Sequence, residues 1–130
     1  MKTKSEIHSI RIKIYFDDVI VSDKRSIYQL NLYADPTLFM PMVSESISKL
    51  AHILEKSIEK MNDEKGFSKF KNQFVDLKMR IDLDEMEIFR QSFSKKLMIV
   101  EVPRALTVFD IAFGKSWEQM FPNLSGGVKP

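Results

Sequence analysis

The amino-acid sequence predicts an α+β fold, an antiparallel sheet of about four to five strands covered on one face by a long amphipathic helix. Ile10, Ile12, Ile14 and Phe16 alternate with Arg11, Lys13 and Tyr15, the period-two pattern of a strand with one buried face. Val43, Ile47, Leu50, Leu54, Ile58 and Met61 recur instead at three- and four-residue spacing, which lines one stripe of a helix and leaves Ile53 outside it. Neither an internal repeat nor a low-complexity stretch interrupts this pattern.

The first strand is expected over residues 7–16, with Asp17-Asp18 suited to the turn that ends it. Residues 19–21 either extend this strand or partner it, and 22–25 form a polar turn. Tyr28, Leu30, Leu32 and Ala34 then alternate with Gln29, Asn31 and Tyr33, giving a second strand antiparallel to the first. Asp35-Pro36 reads as a helix start, since Asp accepts from orphan backbone N–H groups and Pro has its φ preset for a first turn. Pro41 would break a helix already under way. Either a short turn precedes the main helix, or that helix begins near Pro41 and Met42. It is expected over 42–62, with Glu45, Lys49, Glu55, Lys56, Glu59 and Lys60 toward water.

After a polar connector at 62–66 two periods compete. Phe67, Phe70, Phe74, Leu77 and Ile81 fall at helical spacing, whereas Val75, Leu77, Met79, Ile81 and Leu83 alternate with Asp76, Lys78, Arg80 and Asp82. The unbroken alternation favours a short helix over 67–73 and a strand over 74–83; the competing reading is an antiparallel helical hairpin. Asp84 followed by Glu87 has the form of a capping box, Met86, Phe89 and Phe93 share a helical face, and Lys95 and Lys96 would complement the dipole. A helix over 85–95 follows. Residues 97–102 and 105–113 are almost continuously apolar, split by Pro103-Arg104, and read as a buried hairpin of central strands ended by Gly114. A short helical turn is expected over 115–121 and a flexible tail over 122–130, so that residues 1–121 make one domain.

Composition bounds the chemistry. With 130 residues, 44% apolar content, ten Phe and eight Met, the chain can build one core without staples. It has no Cys, which removes disulfides, thiolate nucleophiles and cysteine metal sites and suits a reducing compartment, so a cytoplasmic location is expected. The N-terminal residues carry alternating charge and do not read as a signal peptide, and nothing approaches the roughly 20 apolar residues of a membrane span. The balance of 20 basic against 18 acidic residues is too even to announce a nucleic-acid partner by itself.

Motifs for catalysis are sparse. His8 and His52 have no companions at metal-ligand spacing, and the Gly-x-Ser-x-Gly elbow and the Gly-rich phosphate loop do not occur. Asp82, Asp84, Glu85 and Glu87 cluster, but Glu87 stands where a calcium loop needs Gly, and a capped helix start accounts for the same carboxylates. No metal, no cofactor and no catalytic residue is therefore expected, and the chain reads as a non-enzyme.

Two surfaces remain. If Ile10, Ile12, Ile14 and Phe16 face the core, Arg11, Lys13 and Tyr15 share the opposite face, joined by Asn31, Tyr33 and Gln29 from the second strand and Lys78 and Arg80 from the third. Such a basic, aromatic-bearing sheet face reads as a solvated face, as a protein contact, or as a surface for single-stranded nucleic acid. Trp117, Met120 and Phe121 form a candidate apolar partner patch. The expected function is a non-catalytic protein-binding module: a small cytoplasmic adaptor, inhibitor or accessory subunit, of a kind also encoded by phages and plasmids, acting as a homodimer. The alternative is a single-stranded nucleic-acid-binding protein that uses the basic face.

Overall fold

The computed structural model describes residues 7–18, 25–61 and 74–124. In chain order they form strands β1 (His8–Asp18) and β2 (Arg25–Ala34), a 3-10 turn (Pro36–Leu38), helix α1 (Phe39–Met61), strands β3 (Phe74–Leu83), β4 (Met86–Ser92) and β5 (Leu97–Met98), a 3-10 turn (Ile99–Glu101), helix α2 (Val102–Met120) and a last 3-10 turn (Pro122–Leu124). The expected helix over 67–73, the segment 19–21 and the end of the tail at 125–130 lie outside the described residues.

The α+β class is as the sequence predicts. Every strand pair is antiparallel, in the order β2-β1-β3-β4, and β5 joins β3 at Phe74 and Val75, beyond the stretch that β4 occupies. Ile10, Ile12 and Ile14 of β1 and Leu77, Met79 and Ile81 of β3 are fully buried, so the two central strands turn one face wholly inward. Burial of each such side chain contributes about 1.5–3 kcal/mol. Above them α1 lies toward β2, α2 toward β4, and the helices pack on each other. Phe39, Val43 and Ile47 anchor α1 in this core; Leu50 and Leu54 continue its stripe half-buried, and Ile53 points out.

Asp35 and the two prolines show how local chemistry sets the start of α1. The Asp35 carboxylate accepts from the Thr37 N–H and hydroxyl, capping the 3-10 turn that Pro36 opens. The short turn thus precedes the helix. Pro41 falls in the first turn of α1, where its preset φ is already helical.

Three expectations are corrected. Residues 85–95 are not a helix: β3 and β4 form a hairpin joined by Asp84 and Glu85, which take φ of 49° and 72°. Positive φ at both central residues is the mark of a type I′ turn, whose twist matches its strands. The helical spacing of Met86, Phe89 and Phe93 arises from a bulge. Ile81 pairs with Phe89 and Asp82 with Glu87, so Ile88 is an extra residue that breaks the period-two pattern. Second, the expected hairpin of strands over 97–102 and 105–113 is only the two-residue β5, followed by α2. Glu101, Arg104, Thr107 and Asp110 recur every third position and Val102, Ala105, Leu106, Phe109 and Phe113 at helical spacing, a period that outweighs the apolar content, and Pro103 sits at the helix start rather than between strands. Third, Gly114 and the turn expected over 115–121 are interior and end of that same helix.

The aromatic side chains explain why α2 is so deeply held. Phe121, Trp117, Phe113 and Phe89 follow one another at centroid distances of 4.6, 5.8 and 5.6 Å, and Phe39 of α1 meets Trp117 edge-on at 6.2 Å. Phe93 stacks on Phe109 at 5.1 Å. These contacts tie α2 to α1 on one side and to β4 and its following residue on the other.

Two substitutions test the backbone reading. A Cβ added at Gly114 meets nothing within 4 Å. Gly114→Ala is therefore expected to stabilise the chain by about 0.5–1 kcal/mol through helix propensity. Glu85→Gly is expected to stabilise by about 1 kcal/mol by relieving a left-handed residue. Urea midpoints at constant m-value check both.

Candidate functional site

The outward face of the sheet is where the sequence-derived residues converge. The residues of β1 that alternate with Ile10, Ile12 and Ile14 stand in cross-strand rows with their neighbours. One row runs Asn31, Arg11, Asp82, Glu87; the next runs Gln29, Lys13, Arg80, Arg90; Tyr15 and Lys78 pair in the third. Ser9 faces Tyr33 at one end, and Tyr33 is 65% exposed. Arg11, Lys13, Tyr15, Asn31, Tyr33, Lys78 and Arg80 thus all lie on one face, opposite the layer of helices.

The charge on this face is not the simple basic field that strand alternation suggests. Arg80 and Arg90 stand directly opposite each other, a repulsive pairing for two cations, and carboxylates separate them. Arg80 Nε donates to Asp82 Oδ1 at 2.8 Å and lies 3.5 Å from Glu87 Oε1, while Arg90 donates to Glu87 through both Nε and Nη2, the latter at 2.7 Å. Asp82 is 3% exposed despite facing outward, because Arg80 lies over it. Hydrogen bonding to Asp82 holds the Arg80 guanidinium above its ordinary pKa, and that to Glu87 does the same for Arg90. Reciprocally, the Arg90 hydrogen bond holds the Glu87 carboxyl below its usual range.

Lys78 lies 3.9 Å from Asp76, and Arg11 Nε donates to Asn31 Oδ1 at 3.0 Å. Lys13 makes no ion pair among the described residues. Exposed Phe74 adds an apolar side chain at the far end of β3.

Arg90, Glu87 and Phe74 were missed by the sequence reading. The first two belonged to the segment expected to be helical, and the bulge hid them. Without the extra residue Ile88, Glu87 and Phe89 would share a face; with it Glu87 turns outward onto Asp82 and Phe89 inward onto the core. The Glu87-x-x-Arg90 spacing was the available signal, though in a helix it reads as an ordinary surface pair.

Asp84, expected to cap a helix, instead fastens the hairpin turn to β1. Its carboxylate accepts from Ser9 N–H at 3.0 Å and from the His8 ring, while its own N–H donates to Ser9 O at 2.9 Å. The Ser9 N–H first and His8 second hold the Asp84 carboxyl below the usual carboxylate range. His52 is exposed on α1. Among the described residues no group of three or more His, Cys, Asp or Glu is placed to share a metal ion.

The apolar patch does not exist as a surface. Trp117 is fully buried, Phe121 packs against the core, and Met120 alone is open, at 38%. The spacing that places Trp117 on a helical face is real, but that face points inward at Phe39 and Phe113. The solvent side of the two helices carries shallow grooves instead, one lined by Ser48, Ala51, His52, Glu55, Pro103, Arg104 and Thr107. A Ser44 to Asp110 hydrogen bond of 2.9 Å spans another.

No family model, curated protein or solved structure matches this chain. Among the described residues no helix is long and apolar enough to cross a membrane.

Two measurements test the electrostatics. Arg80→Met leaves the buried Asp82 carboxylate without its partner and is expected to lower the urea midpoint more than Lys78→Met, whose pair is half-exposed. For Asp84 the folded pKa is lowered, so its contribution is complete above the ordinary carboxylate range and is lost as pH falls through the folded value. Asp84→Asn, which keeps an oxygen for the Ser9 N–H, is expected to be less stable than the parent at neutral pH and to converge on it in acid.

Proposed function

We propose that this chain is a non-catalytic protein-binding module, a small cytoplasmic adaptor, inhibitor or accessory subunit that works through the outward face of its sheet. One observation carries the reading. Both helices cover the same side of the sheet, and the opposite side presents Tyr15, Tyr33, Arg11 and Lys13 around a pre-paired lattice of arginines and carboxylates. Tyr and Arg are the residues that protein interfaces favour, because each brings area and a hydrogen-bonding tip together. The Arg80, Arg90, Asp82 and Glu87 network is already formed in the free chain, so a partner does not bear the entropy of ordering it. Lys13 and Arg11, which have no carboxylate ion-pair partner among the described residues, call for acidic groups on that partner.

A second reading rests on the row of Lys13, Arg80 and Arg90 beside Tyr15, which has the form of a phosphate and base track for single-stranded nucleic acid. Asp82 and Glu87 in the adjacent row pair with those arginines and repel phosphate, which favours the protein partner.

Lys13→Glu with Tyr33→Ala alters two surface positions and leaves the core intact. Tagged wild-type chain in the native host is expected to retain a protein in stoichiometric yield, and the double variant to lose it. Recovery of the same proteins with both chains overturns the reading. An oligo(dT) titration at low and high salt decides the second reading, since tight binding that falls steeply with salt transfers the face to nucleic acid.

A further inference from the structure

We propose that β2 is a dimerisation strand: two copies of this chain add their β2 edges antiparallel about a two-fold axis at Leu30, joining both sheets into one. Natural proteins guard exposed sheet edges with bulges, charges, prolines or very short strands, because an open row of N–H and C=O groups recruits other strands. The edge formed by β4 and β5 is guarded in this way. It carries the bulge at Ile88, breaks after Ser92, and resumes for only the two residues of β5. The β2 edge is not. Its register with β1 runs unbroken from Ala34 to Arg25, no Pro, Gly or charged residue occurs from Ser26 through Ala34, and no described strand lies outside it.

The core is also left open on this side. Ile10, Ile12 and Ile14 are fully buried, yet their cross-strand neighbours Leu32, Leu30 and Tyr28 are only half-buried. Above them, the α1 flank turned toward α2 is marked by Ser44, which bonds to Asp110. Ile53 lies nine residues further along α1, about two and a half turns, and so on the opposite flank, over the β2 side, where it is 59% exposed. Among the described residues none covers this strand edge or reaches this helix flank.

The sequence of β2 says which neighbour fits. Tyr28-Gln29-Leu30-Asn31-Leu32 reads as apolar, amide, leucine, amide, apolar in either direction. Antiparallel pairing about Leu30 sets Leu30 against itself, Gln29 against Asn31 of the second copy, and Tyr28 against Leu32. Residues directly opposite in an antiparallel pair share a face, so this register continues the inner apolar layer and the outer polar layer together. No charge is opposed by a like charge. The same two-fold brings the two α1 helices to one side, with both Ile53 flanks toward the junction. A second copy supplies this alternation by identity and in the matching register, with no further component.

Sedimentation of the full chain over a dilution series is expected to show a dimer that dissociates at low concentration. Gln29→Lys with Asn31→Lys opposes like charges at both positions, as does Gln29→Glu with Asn31→Glu. Each double variant is expected to be a folded monomer by sedimentation and circular dichroism, and a mixture of the two to regain the dimer. The chain has no Cys, so Leu30→Cys gives an independent readout: it is expected to cross-link on oxidation, while Val108→Cys on the solvent side of α2 does not. A wild-type monomer at every concentration overturns the proposal. So does a dimer that neither charged pair dissociates and that Leu30→Cys does not trap. Lys13→Glu alone, in β1 and away from the β2 edge, is expected to leave the dimer intact while weakening partner capture, so failure of the binding reading and failure of this one are separable.

Discussion

The pairing of β1 with β3 sets Ile12 opposite Ile81 and Ile14 opposite Met79, all fully buried, and through them decides which residues of the sheet meet water. Because side chains alternate strictly along a strand, a slip of one residue would send Arg11, Lys13 and Arg80 into the core and the isoleucines out. The energetic gap against that slip is large. It replaces several fully buried aliphatic side chains by charges that would have to be desolvated. The outward face is therefore specified by the core beneath it, and no separate device is needed to turn it outward.

The two sides of the sheet are stabilised by different physics. On the inner side α2 contributes Val102, Ala105, Leu106, Phe109, Phe113 and Trp117, a stripe so apolar that the Trp117 indole N–H has no hydrogen-bond partner among the described residues. On the outer side cations and carboxylates interlock, with Glu87 reaching both Arg90 and Arg80. Exposed ion pairs add little net stability, and their organisation matters more for shape and for the sign of the local field. The bulge at Ile88 serves both sides at once, as it turns Glu87 toward the lattice and Phe89 toward Phe113.

Much of this was legible in the sequence wherever a segment buried only one face. The strands around Ile12, Leu30 and Met79 and the stripe of α1 were visible because alternation and three-four spacing report one-sided burial. The shared face of Arg11, Lys13, Tyr15, Asn31, Tyr33, Lys78 and Arg80 followed from that alone. Legibility failed where the periodicity was altered or absent. One extra residue at Ile88 gave a strand the spacing of a helix, and Asp84, in a left-handed turn, took the position of a cap. Between Leu97 and Phe113 the polar residues Glu101, Arg104, Thr107 and Asp110 recur every third position, a helical period that is masked when the segment is read as two apolar strands split at Pro103-Arg104. Trp117 was placed on the right helical face, but sequence does not say whether such a face looks inward or outward.

Trp117 is the chain's only tryptophan, and it is fully buried among Phe39, Phe113 and Phe121 on the helical side of the sheet. Its indole fluorescence is consequently expected to be that of an apolar medium and to report on the seating of α2 against α1. Ligands arriving at the far side of the sheet pass unseen by this chromophore unless they disturb the helices. The molecule carries a tryptophan probe for one of its layers and only tyrosines, Tyr15 and Tyr33, in the other.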